Sequence, residues 1–304
     1  MATLFENCSD EIFMLIFEYL DVCRLHNSFR NINTRLNKIL DDKRLQLMFD
    51  SRGTQFINPF VRDQIVSMIL DDNGKATFVN ENFISIQSVT LYVKDYTTEF
   101  ISKLKSLTTI TQLIIHTAEH HANNIIEMIL CQNMLPQLKI LIVTESCLIR
   151  NNISSTAAIN NLVYLIITCT WHDLSAILEH SPKLKYVNIS LLGGNRLTKF
   201  IFPTIKYLTV NISSTYYNEL FHMLKTMPNL KMFELTGHSC DDALSDGEKL
   251  RELILSSSSR FKLNIQLFVN LFIKNVLSTF RDEYWCNIQC KLCMGFIKLS
   301  AISK

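Results

Sequence analysis

Glycine and proline are scarce, with 7 and 5 copies in 304 residues. That is too few for a sandwich of many tight turns and too few for a glycine-rich cofactor fold. Charge of one sign is also lacking: 30 Lys and Arg stand against 28 Asp and Glu, a net charge of +2. Nothing in that balance calls for nucleic acid or an anionic membrane as partner. No run of about 18 or more apolar residues occurs, so no membrane-spanning helix is expected. The opening stretch has no basic segment and places Glu6, Asp10 and Glu11 around its first apolar residues, unlike a secretory signal. The 9 cysteines are odd in number and scattered. They read as free thiols in a reducing compartment, cytoplasmic or nuclear. What the chain has is apolar residues, 48% against 19% charged, enough for a large core.

Those apolar residues repeat. The template apolar-x-x-apolar-x-apolar occurs at Ile86-Val89-Leu91, Ile110-Leu113-Ile115, Leu138-Leu141-Val143 and Leu162-Leu165-Ile167. It continues at Leu184-Val187-Ile189, Ile205-Leu208-Val210 and Leu230-Phe233-Leu235, with starts separated by 24, 28, 24, 22, 21 and 25 residues. The segments between, over 98–107, 123–133, 171–181 and 216–227, carry apolar residues at helical spacing. Pro136, Pro182 and Pro228 stop three of them just before the next template. The unit is therefore helix, loop and short strand. One such strand cannot stand alone, so successive strands are expected to stack in parallel with helices on one side. Residues 60–70 read as a further helix ended by Asp72-Asn73-Gly74.

This pattern resembles the irregular leucine-rich repeats found behind F-boxes, over roughly residues 80 to 275. The resemblance implies an α/β solenoid, a curved parallel sheet with helices outside. The family's asparagine ladder is absent: Ser146, Thr170, Ser213 and His238 stand at its position. Residues flanking the inner apolar positions form three outward columns. The first runs Ser88, Gln112, Ile140, Tyr164, Tyr186, Tyr207, Met232. The second runs Thr90, Ile114, Ile142, Ile166, Asn188, Thr209, Glu234, and the third Tyr92, His116, Thr144, Thr168, Ser190, Asn211, Thr236. Tyr164, Tyr186 and Tyr207 beside Ile142 and Ile166 are the candidate target-binding patch, since tyrosine is a favoured interface anchor. Strand propensity alone would also put Tyr and Ile there. Few Arg or Lys occupy these columns, which speaks against recognition of phosphate.

At the N-terminus, Ser9 suits a helix start with Asp10 and Glu11 in the first turn. Ile12, Phe13, Ile16, Phe17 and Leu20 make an apolar stripe, and Asp21 can cap a second helix carrying Leu25 and Phe29. A third helix carries Ile32, Leu36, Ile39 and Leu40, ending at Asp41-Asp42. The run Glu11–Asp21, EIFMLIFEYLD, and residues 31–42 resemble the first and third helices of an F-box. The resemblance implies that Ile12, Phe13, Ile16 and Leu20, with Leu25 and Leu40, contact a Skp-type adaptor that bridges to a cullin. Cys8-Ser9 stand where the family has a Leu-Pro pair that inserts into the adaptor, a departure that weakens the expected docking. Two domains follow: residues 1–48 as the F-box-like segment and 49–304 as the repeat with a C-terminal cap that includes Phe280, Tyr284 and Trp285.

The expected function is the substrate-recognition subunit of a Skp–cullin–F-box ubiquitin ligase, with an unknown protein as substrate. The alternative is a repeat scaffold without a ligase role. No enzyme is expected, because no nucleophile–base pair or phosphate loop appears. No cofactor or metal is expected either. Cys286, Cys290 and Cys293 lack a fourth ligand, and His116, His120 and His121 read as solvated side chains.

Overall fold

A computed structural model describes residues 7–53, 59–80, 82–92, 97–116, 126, 128–129, 134–144, 159–192, 201–213, 215–255, 260–267, 278–280, 285–293 and 296–303. The chain divides into two compact units, Met1–His121 and Ala122–Lys304. The border expected between residues 48 and 49 instead falls inside a strand, so the N-terminal helices share a unit with the first strands.

In the first unit three helices come first: α1 (Asp10–Glu18), α2 (Val22–Phe29) and α3 (Thr34–Leu40). Asp21 caps α2 by accepting from the backbone N–H groups of Cys23 and Arg24, each at 3.1 Å. Its other oxygen accepts from the Asp50 N–H at 2.8 Å, which ties the helix to strand β1 (Leu47–Asp50). Asn31 breaks α2 from α3 by taking a left-handed φ of 65°, which asparagine tolerates. Asn33 then caps α3 through the Leu36 N–H. Arg35 on α3 donates to Asp10 at 2.8 Å and to the Cys8 carbonyl at 2.5 Å, fastening the start of α1. Parallel strands follow: β2 (Ile65–Asp71), β3 (Ser88–Tyr92) and β4 (Gln112–Ile115), each paired to the one before. Helices α4 (Lys75–Asn80) and α5 (Thr98–Ser106) lie between them in sequence.

The helix expected over 60–70 is not there. Pro59–Gln64 is a 3-10 turn and Ile65–Asp71 is strand β2. Met68 and Leu70 are buried while Ile69 and Asp71 are not, a period of two that β3 completes by pairing Met68 with Val89 and Leu70 with Leu91. Ile65-Met68-Leu70 also fits the repeat template, 21 residues before Ile86.

The second unit carries β5 (Ile140–Val143), β6 (Tyr164–Cys169), β7 (Tyr186–Leu191), β8 (Tyr207–Ser213), β9 (Met232–Ser239) and β10 (Arg260–Leu267). Each is parallel to the next, in unbroken register. Helices α6 (Trp171–His180), α7 (Tyr217–Lys225) and α8 (Gly247–Leu255) fall in the connections, while the helix expected over 123–133 lies largely outside the described residues. Along the strands one side is buried, with Leu165, Ile167, Val187, Ile189, Leu208, Val210, Phe233 and Leu235. Leu174, Ile177, Leu220, Met223, Leu250 and Leu253 of the helices are buried as well. A strand face and a helix stripe that each lose water in this way make one two-layer core, whose apolar burial is the main stabilising term.

Other residues take over the missing asparagine ladder. Ser213 donates its hydroxyl to the Leu191 carbonyl of the preceding strand at 3.2 Å, and Thr170 caps α6 through the Asp173 N–H. Asn161 and Asn229 donate side-chain N–H groups to the carbonyls of Pro136 and Pro203, one repeat back, at 2.9 and 2.8 Å. Gly237 in β9 has φ +106°, and a Cβ there would collide with the Ile212 backbone.

The last residues leave the parallel pattern. Strand β12 (Phe296–Ser303) runs antiparallel to β10, and β11 (Trp285–Cys293) antiparallel to β12. Phe280 and Trp285 are buried with ring centroids 5.0 Å apart, and Tyr284 lies outside the described residues.

Candidate functional site

Two surfaces stand out, one in each unit. The first is on α1. Phe13 and Phe17 face inward with centroids 5.9 Å apart, and Phe17 meets Phe29 at 5.1 Å. Leu25 and Leu40 are also fully buried. Phe13, Leu25 and Leu40 therefore build the core of the helical segment and offer no surface to a partner, contrary to their expected role. The opposite side of α1 is apolar too. Ile12, Leu15, Ile16 and Tyr19 are 46%, 59%, 38% and 84% exposed. These positions fall at i, i+3, i+4 and i+7, which lines them up on one helical face. Ile32, at the turn before α3, is exposed as well.

A helix that is apolar on two faces is unusual outside an interface, because large exposed apolar residues gathered together mark a contact surface. Of the expected adaptor contacts, Ile12 and Ile16 lie on this stripe. Leu15 and Tyr19 were missed, although the run Leu15-Ile16 between two inward phenylalanines already signals a second apolar face. Leu20 is half-buried and lines a cavity of about 540 Å³ with Tyr19, Asp21, Arg24, Met48, Asp50 and Arg52. Cys8 is half-buried and Ser9 exposed at the helix start, where its carbonyl accepts from the Phe13 N–H.

Titration in this unit is shaped by burial and by arginines. Burial, then the nearby Arg30 charge, holds His26 on α2 below the usual imidazole range, and neither ring nitrogen has a hydrogen-bond partner. Hydrogen bonds from Arg44 bring the half-buried Asp42 down to about 2. On the open side of the strands, Tyr92 and His116 stack at 4.3 Å and 6°, and the Arg52 guanidinium lies 4.9 Å above the Tyr92 ring.

The second surface is the open face of the second unit. Register brings Tyr164, Tyr186, Tyr207 and Met232 onto adjacent rungs. Tyr186 and Tyr207 stack at 4.6 Å and 4°, and Tyr164 tilts toward Tyr186 at 6.0 Å. Ile140 pairs with Tyr164 and Ile142 with Ile166, so all five residues of the expected patch come together. Tyr186 is 39% exposed and the others are half-buried, so the rings remain in reach of a partner. The second column continues to Glu234, which pairs with Lys262 of β10 at 2.6 Å.

No protein-family model and no curated protein matches this chain. Among the described residues no group of three or more His, Cys, Asp or Glu side chains could hold a metal, and no helix is long and apolar enough to cross a membrane. His116 belongs to the Tyr92 stack, while His120 and His121 lie outside the described residues. Cys286, Cys290 and Cys293 fall on strand β11. Cys169, by contrast, is wholly buried, and that burial pushes its thiol well above the ordinary range, away from nucleophilic use.

Proposed function

We propose that the chain is a substrate-recruiting subunit of a Skp–cullin–F-box ubiquitin ligase. In this reading the three N-terminal helices are an F-box, the parallel strands with their helices are a leucine-rich-repeat solenoid, and the open strand face holds a target protein. The observation that carries the reading is the exposed stripe Ile12, Leu15, Ile16 and Tyr19. It lies within the residues that resemble the F-box run, and it is the kind of surface an amphipathic helix offers to an apolar groove. The docking set is then Ile12, Leu15, Ile16 and Tyr19, with Leu20 and Ile32 at its edges. The tyrosine column supports the target-binding half, because stacked aromatics give large contact area at small entropic cost. No residue of the chain reacts in this scheme. Its contribution is proximity, holding a target lysine near a charged conjugating enzyme.

Titration calorimetry of the full chain against a purified Skp-type adaptor tests the reading, with Ile16→Asp/Tyr19→Asp as control. Both positions are exposed, so the variant is expected to fold. Binding that the variant loses supports the F-box; a folded wild-type chain that binds no adaptor sinks the ligase reading and leaves the repeat as an interaction scaffold.

A further inference from the structure

Just before each of the strands β5 to β9 sits one residue that the three columns do not include. These residues are Lys139, Val163, Lys185, Lys206 and Lys231. Backbone hydrogen bonds join them directly. The Val163 N–H donates to the Lys139 carbonyl at 2.8 Å, Lys185 to Val163 at 2.9 Å, Lys206 to Lys185 at 2.9 Å and Lys231 to Lys206 at 2.7 Å. Arg260 on β10 pairs with Met232 and so continues the first column, and its N–H donates to the Lys231 carbonyl at 3.0 Å. Lys139, Lys185, Lys231 and Arg260 are exposed and Lys206 half-exposed. Among the described residues none of these five cations has an ion-pair partner. The nearest acid of the columns, Glu234, is already taken by Lys262.

Three lysines on three successive strands, at about 4.8 Å spacing, repel one another, since like charges on neighbouring strands are destabilising. The fold gains nothing from that arrangement, so a ligand that neutralises it gains what the fold gives up. Each of these lysines directly precedes a column residue, so Tyr186 and Tyr207 start the open strand face next to the exposed edge that carries Lys185 and Lys206. Beyond them come Asn188, Thr209, Thr168, Ser190 and Asn211, short side chains that can bond a peptide backbone. We infer that this face binds an acidic, extended segment of a protein, carboxylates on the lysine row and an aromatic or aliphatic side chain on the tyrosine stack.

Separate ammonium groups suit single carboxylates, whereas a phosphate-reading site would use the paired donors of arginine. A nucleic acid fits less well, because the charge is confined to one row on a chain whose net charge is only +2. Strands β5 to β9 span about 19 Å, the length of about six extended residues. The inference rests on the proposed role of this face in target capture but not on adaptor binding.

Fluorescence polarisation with the full chain and labelled synthetic copolymers tests it: poly(Glu,Tyr), poly(Lys,Tyr), and a single-stranded oligonucleotide. Poly(Glu,Tyr) is expected to bind best, and to bind about tenfold or more weakly to Lys185→Gln/Lys206→Gln/Lys231→Gln, three charges being removed. Tyr186→Ala/Tyr207→Ala is expected to weaken it as well. Equal binding of poly(Glu,Tyr) by wild type and the lysine variant overturns the inference, as does a preference for poly(Lys,Tyr) or for the oligonucleotide. Adaptor calorimetry on the same samples keeps the two readings apart: peptide binding without adaptor binding removes only the ligase role, and adaptor binding without peptide binding removes only this inference.

Discussion

Replacing Phe17 and Tyr19 by alanine, one at a time, separates the two faces of α1. Phe17 is fully buried and touches Phe13 and Phe29, so its truncation leaves a cavity and is expected to cost about 3–5 kcal/mol of stability. Tyr19 is 84% exposed, so the folded chain is expected to lose no more than about 0.5 kcal/mol. Its loss is to be read in binding instead. Leu15 calibrates the scale: a leucine gains about 1.5–3 kcal/mol on full burial, and 59% of its surface is still to be covered. That leaves about 1–2 kcal/mol for docking, a factor of about five to thirty in Kd. Tyr19→Ala, with more surface still open, is expected to exceed Leu15→Ala. Urea unfolding followed by circular dichroism measures the first quantity and adaptor calorimetry the second. A Tyr19→Ala chain destabilised by more than about 1 kcal/mol, or a Phe17→Ala chain as stable as wild type, would refute the division into core and surface.

His26 has a depressed pKa in the folded state, so the unfolded chain binds its proton more readily. Stability is therefore expected to fall as pH drops below the unfolded value of about 6.5, and His26→Leu to flatten that part of a pH series of urea midpoints. Iodoacetamide followed by peptide mass spectrometry is expected to label the exposed Cys240 rapidly and the buried Cys169 only on unfolding. Gly237→Ala is expected to destabilise the chain by about 1–3 kcal/mol, seen as a lower thermal midpoint, because alanine at φ +106° is strained and meets the Ile212 backbone.

The parallel strands were legible because each carries two or three inward apolar residues at a fixed period, and pairing such as Val187 with Leu208 only completes what the spacing implies. Strand β2 escaped because the half-buried Val66 and Ile69 stand among the buried Ile65, Met68 and Leu70, which blurs a period of two into a helix-like run. The ends β11 and β12 escaped because antiparallel partners at a distance, not local period, define them. At the candidate site, composition could name the apolar residues of α1 but not their side: Phe13 and Ile12 are neighbours of like hydropathy, and only the Phe17–Phe29 contact decides which turns inward. The lysine row was invisible for another reason. Its members sit one residue outside the columns, and only the bonded ladder through Lys185 and Lys206 shows that they are neighbours.

The unbroken register from β6 to β10 has a consequence for how this chain can change. Each rung contributes its own outward residues, and the buried positions alternate with them without sharing their burden. A substitution at Tyr186 or Asn188 therefore alters the outward surface while Val187 and Ile189 go on holding the strand. The array behaves as a row of independently replaceable characters on a fixed carriage. New outward surfaces can arise one rung at a time without passing through an unfolded ancestor.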